Sequence, residues 1–333
     1  MKILITGGAG FMGSHFIKYI LARHADWEII NLDKLTYAGN LENLKEVEDN
    51  PNYSFIKGDI ANAEDVDRAI GDGVDKIINY AAETHVDRSI FDPGAFIRTD
   101  IFGTYTLLEA ARQRDVAQYI QISTDEVFGS ISEGTFDENS PFAPNSPYSA
   151  SKAGADHLCR AYFVTYDVPV IVTHSCNFYG SNQYPEKLIP LFITNLIEGK
   201  KVPIYGPGDA WREWIFTQDH CAAVEVIMEK GESGEVYNIG TGYEKQNMEV
   251  ANFILKELGF GEEMIEYGLN RPGHDFRYAI NSQKLRGLGW KPNVSWEDGL
   301  RRTIRWYKEN ESWWKHIKSG DYLEYYKKQY GEK

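Results

Sequence analysis

The sequence predicts an α/β fold, a doubly wound parallel sheet with a smaller C-terminal lobe. Short apolar runs rich in β-branched residues recur at 2–6, 27–32, 53–57, 76–80, 118–123 and 168–173, as expected of strands buried on both faces. Between them lie segments with helical apolar spacing, such as Met12, Phe16 and Ile20 with Ile17 and Leu21, or Leu107, Leu108 and Ala111. Such alternation requires right-handed crossovers and helices on both faces of the sheet. Beyond about residue 178 the rhythm changes, with Pro185, Pro190, Pro203, Pro207, Pro272 and Pro292 punctuating shorter elements. The expected division is 1–177 for the first lobe, taking back parts of 215–242, and mainly 178–333 for the second.

The bulk properties fit a folded chain and narrow its partners. Its 333 residues suffice for about two domains, and 42% hydrophobic with 25% charged residues is ordinary for a globular protein. A formal net charge of −14 disfavours nucleic acid and anionic membrane surfaces. Cys159, Cys176 and Cys221 are odd in number and lack C-x-x-C spacing, which suggests neither a disulfide framework nor a zinc knuckle. No metal is assigned, and a reducing cytoplasm is the expected compartment. No run approaches 18 apolar residues, and the first apolar stretch is shorter than a signal-peptide core. The tail from 306 to 330 is rich in Trp and Tyr and reads as packing surface.

The first strand leads into Gly7-Gly8-Ala9-Gly10-Phe11-Met12-Gly13, which satisfies G-x-G-x-x-G through Gly8, Gly10 and Gly13 and G-x-x-G-x-x-G through Gly7, Gly10 and Gly13. Glycines there let a turn tighten and a pyrophosphate approach the backbone at a helix N-terminus. Asp33 ends the second strand about 20 residues later, where a carboxylate accepts from ribose hydroxyls. That carboxylate repels a 2′-phosphate, so the Rossmann-type site is expected to take NAD rather than NADP. Gly58-Asp59-Ile60 follows the third strand, and Asp59 suits an adenine contact or a capping role equally well.

Tyr148 and Lys152 are four apart in Tyr148-Ser149-Ala150-Ser151-Lys152, which puts both on one helix face. An ammonium beside a phenol favours phenolate, so this spacing predicts a tyrosine base with its affinity for protons lowered. Ser123-Thr124 ends the fifth strand upstream.

Together these features resemble the extended short-chain dehydrogenase/reductase superfamily. Leu35-Thr36-Tyr37-Ala38-Gly39-Asn40, Ala81-Ala82-Glu83-Thr84-His85-Val86-Asp87-Arg88-Ser89, Ser123-Thr124-Asp125-Glu126-Val127-Phe128-Gly129 and Arg271-Pro272-Gly273-His274-Asp275 are similar to signatures of the dTDP-glucose 4,6-dehydratase family. The resemblance covers almost the whole chain, and the Thr-Asp-Glu triplet is its specific part. It implies further coenzyme contacts from Phe11, Met12, Lys34, Leu35, Thr36, Ile60, Ala81, Ala82, Glu83, Thr99, Tyr148, Lys152 and Asn177. It also implies a second lobe that binds a nucleotide sugar, through His85, Thr124, Asn177, Lys187, Leu188, Pro203, Tyr205, Arg212, Asn247, Arg271 and His274. Arg212 and Arg271 would offer a planar fork to phosphate oxygens, with Lys187 as a point charge.

The implied chemistry is loss of water across carbons 5 and 6 of a hexose. The proton on carbon 5 becomes acidic once carbon 4 is transiently a ketone. By family analogy Tyr148 takes the carbon-4 hydroxyl proton, Glu126 the carbon-5 proton, a protonated Asp125 serves the departing carbon-6 hydroxyl, and Thr124 bonds the sugar near carbon 4. Divided duties require environments that separate the two carboxyls. The chain departs from the family pattern at His174 for arginine, Phe178 for asparagine, Ser181 for proline, Trp211-Arg212-Glu213-Trp214 for Val-Arg-Asp-Trp, Phe128 for tyrosine and Asp100 for asparagine. These departures bear on base and sugar selectivity, so other nucleoside-diphosphate hexoses stay open. A UDP-hexose 4-epimerase and a noncatalytic NAD-binding regulatory module are the alternatives at this point. Apolar stripes in 103–112 and 148–166 and the family likeness imply a homodimer.

Overall fold

The computed structural model describes residues 1–268, 275–319 and 322. The described elements are β1 (Lys2–Thr6), α1 (Phe11–Arg23), β2 (Glu28–Asp33), β3 (Tyr53–Lys57), α2 (Ala63–Ile70), β4 (Lys76–Asn79), α3 (Val86–Phe91) and α4 (Pro93–Phe96). A wide π-helical stretch, Ile97–Gly103, runs directly into α5 (Thr104–Gln113). They are followed by β5 (Gln118–Thr124), α6 (Pro147–Tyr166), β6 (Val170–Ser175), β7 (Asn177–Tyr179), α7 (Leu188–Ile197), β8 (Val202–Tyr205), β9 (Trp211–Phe216) and α8 (Thr217–Lys230). The chain continues through β10 (Val236–Ile239), β11 (Glu244–Gln246), α9 (Asn247–Leu258), β12 (Ile265–Gly268), α10 (Gln283–Gly287), α11 (Trp296–Glu309) and α12 (Glu311–Ile317).

Seven strands form one sheet in the order β10-β6-β5-β4-β1-β2-β3, and every pairing in it is parallel. Residue alternation sends Ile3 and Ile5 to one face, where α1 and α8 pack, and Leu4 to the other, beneath α2, α5 and α6. Burial on both faces is why the strands read as unbroken apolar runs. Strand order reverses between β1 and β4, the position where such sheets open a crevice at the strands' carboxyl ends. There Thr6 Oγ1 donates to Asn79 Oδ1 at 2.6 Å and Asn79 Nδ2 to Gln121 Oε1 at 2.9 Å, a buried polar ladder across three strands.

The chain leaves this sheet after β6 and returns to it: β10 pairs with β6, and α8 packs on α1. Between and after these returns, β11-β9-β7 and β12-β8 form small sheets. They surround a separate apolar core from α7, α9, α11 and α12, which includes Trp296, Tyr307, Trp313 and Trp314. The C-terminal aromatics thus pack as core through residue 319. Among the described residues no helix is long and apolar enough to cross a membrane.

Candidate active site

The glycine loop is shaped by contacts that no side chain could tolerate. Gly7 has φ +68°, and a Cβ there would lie 2.6 Å from the Ala81 backbone nitrogen, so the turns after β1 and β4 touch. At Gly13 a Cβ would lie 2.3 Å from the Gly7 carbonyl oxygen, which holds α1 tight against the loop. The loop is supported from β2, where Asp33 Oδ2 accepts from Ala9 N at 2.9 Å and Oδ1 from Leu35 N at 2.7 Å. Leu35 adopts a left-handed φ of 56° to make that contact. Burial raises the Asp33 pKa above the ordinary carboxylate range, opposed by the N–H groups of Leu35, Ala9 and Gly10.

A second support comes from far along the chain. Buried Asn43 donates Nδ2 to the Ala9 carbonyl at 3.0 Å, while its Oδ1 accepts from Asn182 Nδ2 and from Trp313 Nε1, each at 3.1 Å. His15 Nε2 meets the Ser181 carbonyl at 2.8 Å. Residues 181–184 therefore lie across the loop, and Asn182, Gln183 and Tyr184 line the cleft.

α6 begins with a capping box in which Ser149 N donates to Ser146 Oγ and Ser146 N to Ser149 Oγ, with Pro147 at the first helical position. That start places Tyr148 in the first turn and Lys152 one turn on, both facing the C-terminal end of β5. Thr124 ends β5, and its Oγ1 caps the following turn by accepting from Glu126 N at 3.3 Å. It also donates to Asp125 Oδ1 at 3.3 Å. Thr124 and Asp125 thus stand together at the end of β5, with half-buried Glu126 beside them and Tyr148 lining the same cleft.

The two carboxyls have different surroundings. Asp125 is 1% exposed, and its Oδ2 has no hydrogen-bond partner among the described residues. Burial first, then repulsion from Glu126 and Glu213, pushes its carboxyl well above the ordinary range, with Arg212 opposing, which favours its neutral form.

The tyrosine reading needs correction. Lys152 Nζ donates to the Ile122 carbonyl at 2.7 Å. Burial, with the Glu126 and Asp100 carboxylates, holds the Tyr148 phenol well above its ordinary range. Shared helix face did not translate into a lowered tyrosine pKa, because desolvation and two acids outweigh the ammonium.

One cleft collects the residues read as catalytic, namely Thr124, Asp125, Glu126, Tyr148 and Lys152. It also collects all those read as coenzyme contacts except Leu35, which acts behind Asp33. Asp59 lines it while Oδ1 accepts from Ala61 N at 2.9 Å and Oδ2 pairs with Lys34 at 2.9 Å, so it also fixes its own turn. Of the residues read as substrate contacts, Thr124, Asn177, Lys187 and Leu188 line the cleft. Lys187 Nζ donates to the Thr84 carbonyl. His85, Pro203, Tyr205, Arg212 and Asn247 lie outside its lining. Tyr205 donates to Asp87 Oδ2 at 3.2 Å, with His85 Nδ1 4.0 Å from the same oxygen.

Arg212 is 7% exposed and spends its guanidinium on the carbonyls of Trp211, Asp275 and Phe276, beneath the Tyr278 ring. It anchors the chain just after 269–274 instead of opening a free fork into the cleft. Arg271 and His274 lie outside the described residues.

Sequence reading missed Asn182, Gln183 and Tyr184 in the cleft wall. The one local signal was Gly180-Ser181-Asn182 after β7, where Asn182 takes a left-handed φ of 62° that asparagine tolerates. Two departures from the family pattern turn out to be neighbours: His174 meets Phe128 edge-on at 4.8 Å, and its Nε2 lies 3.2 Å from Asp156 Oδ2. Both stand outside the cleft lining, whereas Phe178 lines it.

Comparison with known proteins agrees with this geometry. The family model described as GDP-mannose 4,6 dehydratase matches residues 4–303. The dTDP-glucose 4,6-dehydratase of Streptomyces niveus is 48% identical over 326 residues, 96% of this chain and 97% of that protein. The low-salt glycan biosynthesis protein Agl12 of Haloferax volcanii is 49% identical over 307 residues, 92% of this chain and 98% of that protein. Among solved structures, DesIV, a dTDP-glucose 4,6-dehydratase from Streptomyces venezuelae with NAD and TYD bound, matches with a TM-score of 0.93 and 48% identity, covering 95% of this chain and 100% of that one. With the glycine loop, the Tyr148–Lys152 helix and the Thr124-Asp125-Glu126 turn in one cleft, the chain belongs to the dTDP-glucose 4,6-dehydratase family of the extended short-chain dehydrogenase/reductases.

Proposed function

We propose that this protein converts dTDP-glucose to dTDP-4-keto-6-deoxyglucose by an NAD-dependent, redox-neutral loss of water. The observation that carries the reading is the carboxyl pair at the end of β5, with Asp125 buried and its pKa raised by burial beside half-buried Glu126. A 4-epimerase has no use for adjacent acid and base carboxyls, and a regulatory module has no use for the Tyr148–Lys152 pair that lines the same cleft.

The cleft fits the coenzyme. A Cβ at Gly7 or Gly13 would fill the loop, Asp33 closes its far side, and the Asn177 Oδ1 is buried in the cleft with no partner among the described residues. Gly7, Gly10, Phe11, Met12 and Gly13 would hold the pyrophosphate, with Asp33 on the adenosine ribose. NAD supplies hydride acceptance from carbon 4, hydride return to carbon 6 and, when oxidised, positive charge that favours the Tyr148 phenolate.

Tyr148 takes the proton of the carbon-4 hydroxyl, and Thr124 orients that hydroxyl. Glu126 takes the carbon-5 proton made acidic by the neighbouring ketone and returns it to carbon 5 at the end. Asp125 gives the proton on Oδ2 to the departing carbon-6 hydroxyl, which leaves as water. Lys187, Leu188 and Asn177 are the substrate contacts within the cleft wall. His85, Tyr205, Pro203, Asn247 and Arg212 act from behind it, and Arg271 and His274 are further substrate contacts by family likeness.

The chain works in the cytoplasm as a homodimer. Phe102 and Tyr105, at the Ile97–Gly103 stretch and α5, and Val164 and Tyr166, at the end of α6, are 41–62% exposed, an apolar face suited to a four-helix contact. Phe102→Glu with Tyr105→Glu should give monomers by light scattering. Residues 1–177 with 215–242 form the coenzyme domain and the remainder the substrate lobe.

The test of the activity is Glu126→Gln with dTDP-glucose. The variant should accumulate reduced coenzyme by absorbance but no 4-keto-6-deoxy product by mass spectrometry. Full dehydration by this variant would remove Glu126 as the base, and no product from the unaltered enzyme would remove the reading itself.

A further inference from the structure

A hexose that is oxidised at carbon 4 and loses water across carbons 5 and 6 must meet two sets of groups at once. Tyr148 stands on α6, whereas Asp125 and Glu126 stand on the turn that follows β5. The placement of α6 against the end of β5 therefore decides whether one bound sugar reaches both. That demand follows from the activity proposed above.

α6 is tied to β5 at two consecutive residues just ahead of Thr124. Lys152 Nζ donates to the Ile122 carbonyl at 2.7 Å, and one helical turn on Asp156 Oδ2 accepts from Ser123 Oγ at 2.6 Å. Lys152 also lines the coenzyme cleft, whereas Asp156 stands outside that lining and is 4% exposed. Ser123 lines the cleft too, yet its hydroxyl is turned back to α6. The same Asp156 oxygen lies 3.2 Å from Nε2 of His174, which faces Ser123 across the β5–β6 ladder. His174 in turn meets Phe128, the last residue of the turn that begins at Asp125, edge-on at 4.8 Å. The other oxygen, Oδ1, has no partner among the described residues, so the Asp156 carboxyl is attached through Oδ2. Where the family pattern has arginine with several donors, His174 presents one nitrogen to this carboxyl, so the hold on Asp156 rests more on Ser123 in this chain.

We infer that Asp156 is a positioning residue for the dehydration. Through Ser123 and His174 it fixes α6 against the acid–base turn, so that the ketone formed beside Tyr148 presents carbons 5 and 6 to Glu126 and Asp125. A misplacement of about 1 Å can cost about a hundredfold in rate. Loosening this joint slows elimination far more than oxidation, because the sugar stays with Tyr148 and the coenzyme while the carboxyls shift away from it.

Ser123→Ala and Asp156→Ala break the joint from its two sides. Ser123→Thr keeps the hydroxyl, and Asp156→Asn keeps an oxygen for Ser123 with its NH₂ at the unpartnered position. With NAD-loaded enzyme and dTDP-glucose, absorbance follows reduced coenzyme, while rapid quench with mass spectrometry follows keto product. Both alanine variants should slow product formation about a hundredfold and coenzyme reduction less than tenfold, so that reduced coenzyme accumulates. The double variant should be no slower than either single one, and threonine and asparagine should restore most of the rate. Rates are counted per NAD-loaded site, so poor folding alone lowers the number of sites and leaves the ratio of the two steps unchanged. Ser123→Ala, the smaller change, carries the test alone should Asp156→Ala not fold.

Equal slowing of both steps, or alanine effects that multiply in the double variant, would overturn the positioning role. Failure of the unaltered enzyme to make keto product would remove the activity itself, and it would show before any variant is made.

Discussion

Ser151 on α6 donates its hydroxyl to Asp100 Oδ2 at 2.6 Å, while Asp100 Oδ1 accepts from Glu83 N at 3.0 Å. The acid sits inside the π-helical stretch, 2% exposed, where the family pattern has asparagine. Burial lifts its pKa to about 6, against the favourable pull of Lys152 and Ser151. A raised folded-state pKa means stability that is fully present below the unfolded value near 3.8 and is lost as pH rises through about 6. Asp100→Asn should therefore be more stable than the unaltered protein at pH 7–8, by on the order of 2–3 kcal/mol, with the gap closing near pH 4. Thermal unfolding of both across that range checks it. A gap independent of pH would exclude the titration of Asp100 as its cause.

Asp33 uses both oxygens on backbone donors, so its amide is a poor replacement. In Asp33→Asn one of the two N–H groups, from Ala9 or Leu35, faces an NH₂. The variant should retain less coenzyme through purification, with affinity down tenfold or more, and should discriminate less against NADP. Coenzyme released on denaturation and calorimetric titration measure both.

Removing the Asn43 carboxamide strands the Ala9 carbonyl, Asn182 and the Trp313 indole N–H together. Asn43→Ala should cost about 2–4 kcal/mol of stability and weaken coenzyme binding. Trp313→Phe keeps an aromatic ring against Trp306 and Tyr307 but removes one donor, and should cost about 1 kcal/mol. Unfolding midpoints with and without NAD separate the effect on the loop from the effect on the core.

Gly13→Ala should give little soluble protein or none that holds coenzyme. Its methyl group would lie 2.3 Å from the Gly7 carbonyl oxygen, and the obstacle is backbone rather than a flexible side chain. A cost of about 1–3 kcal/mol is the minimum expected. Wild-type coenzyme content in this variant would show that α1 can withdraw from the loop.

The parallel sheet was legible because each strand is apolar on both faces. The runs at 2–6 and 53–57 coincide with β1 and β3, and the run at 118–123 extends one residue to Thr124. The run at 168–173 is displaced to Val170–Ser175, since Pro169 has no N–H for the ladder. Trp27 stays outside β2, where its ring stacks on His24 at 3.6 Å. The catalytic turn and helix were legible because motif spacing is local. What stayed hidden depends on tertiary placement: Asn182 enters the cleft wall from the second lobe, and Trp313 reaches Asn43 across the fold. The charges of Lys152 and Arg212 were misread for the same reason, since nearby carbonyls claim their N–H groups.

The bond between Trp313 and Asn43 joins positions 270 residues apart. A nascent chain on the ribosome makes the glycine loop long before its indole buttress, and β10, which lengthens the sheet beyond β6, also follows it by some sixty residues. Full support of the nucleotide loop therefore waits until α12 has emerged and docked.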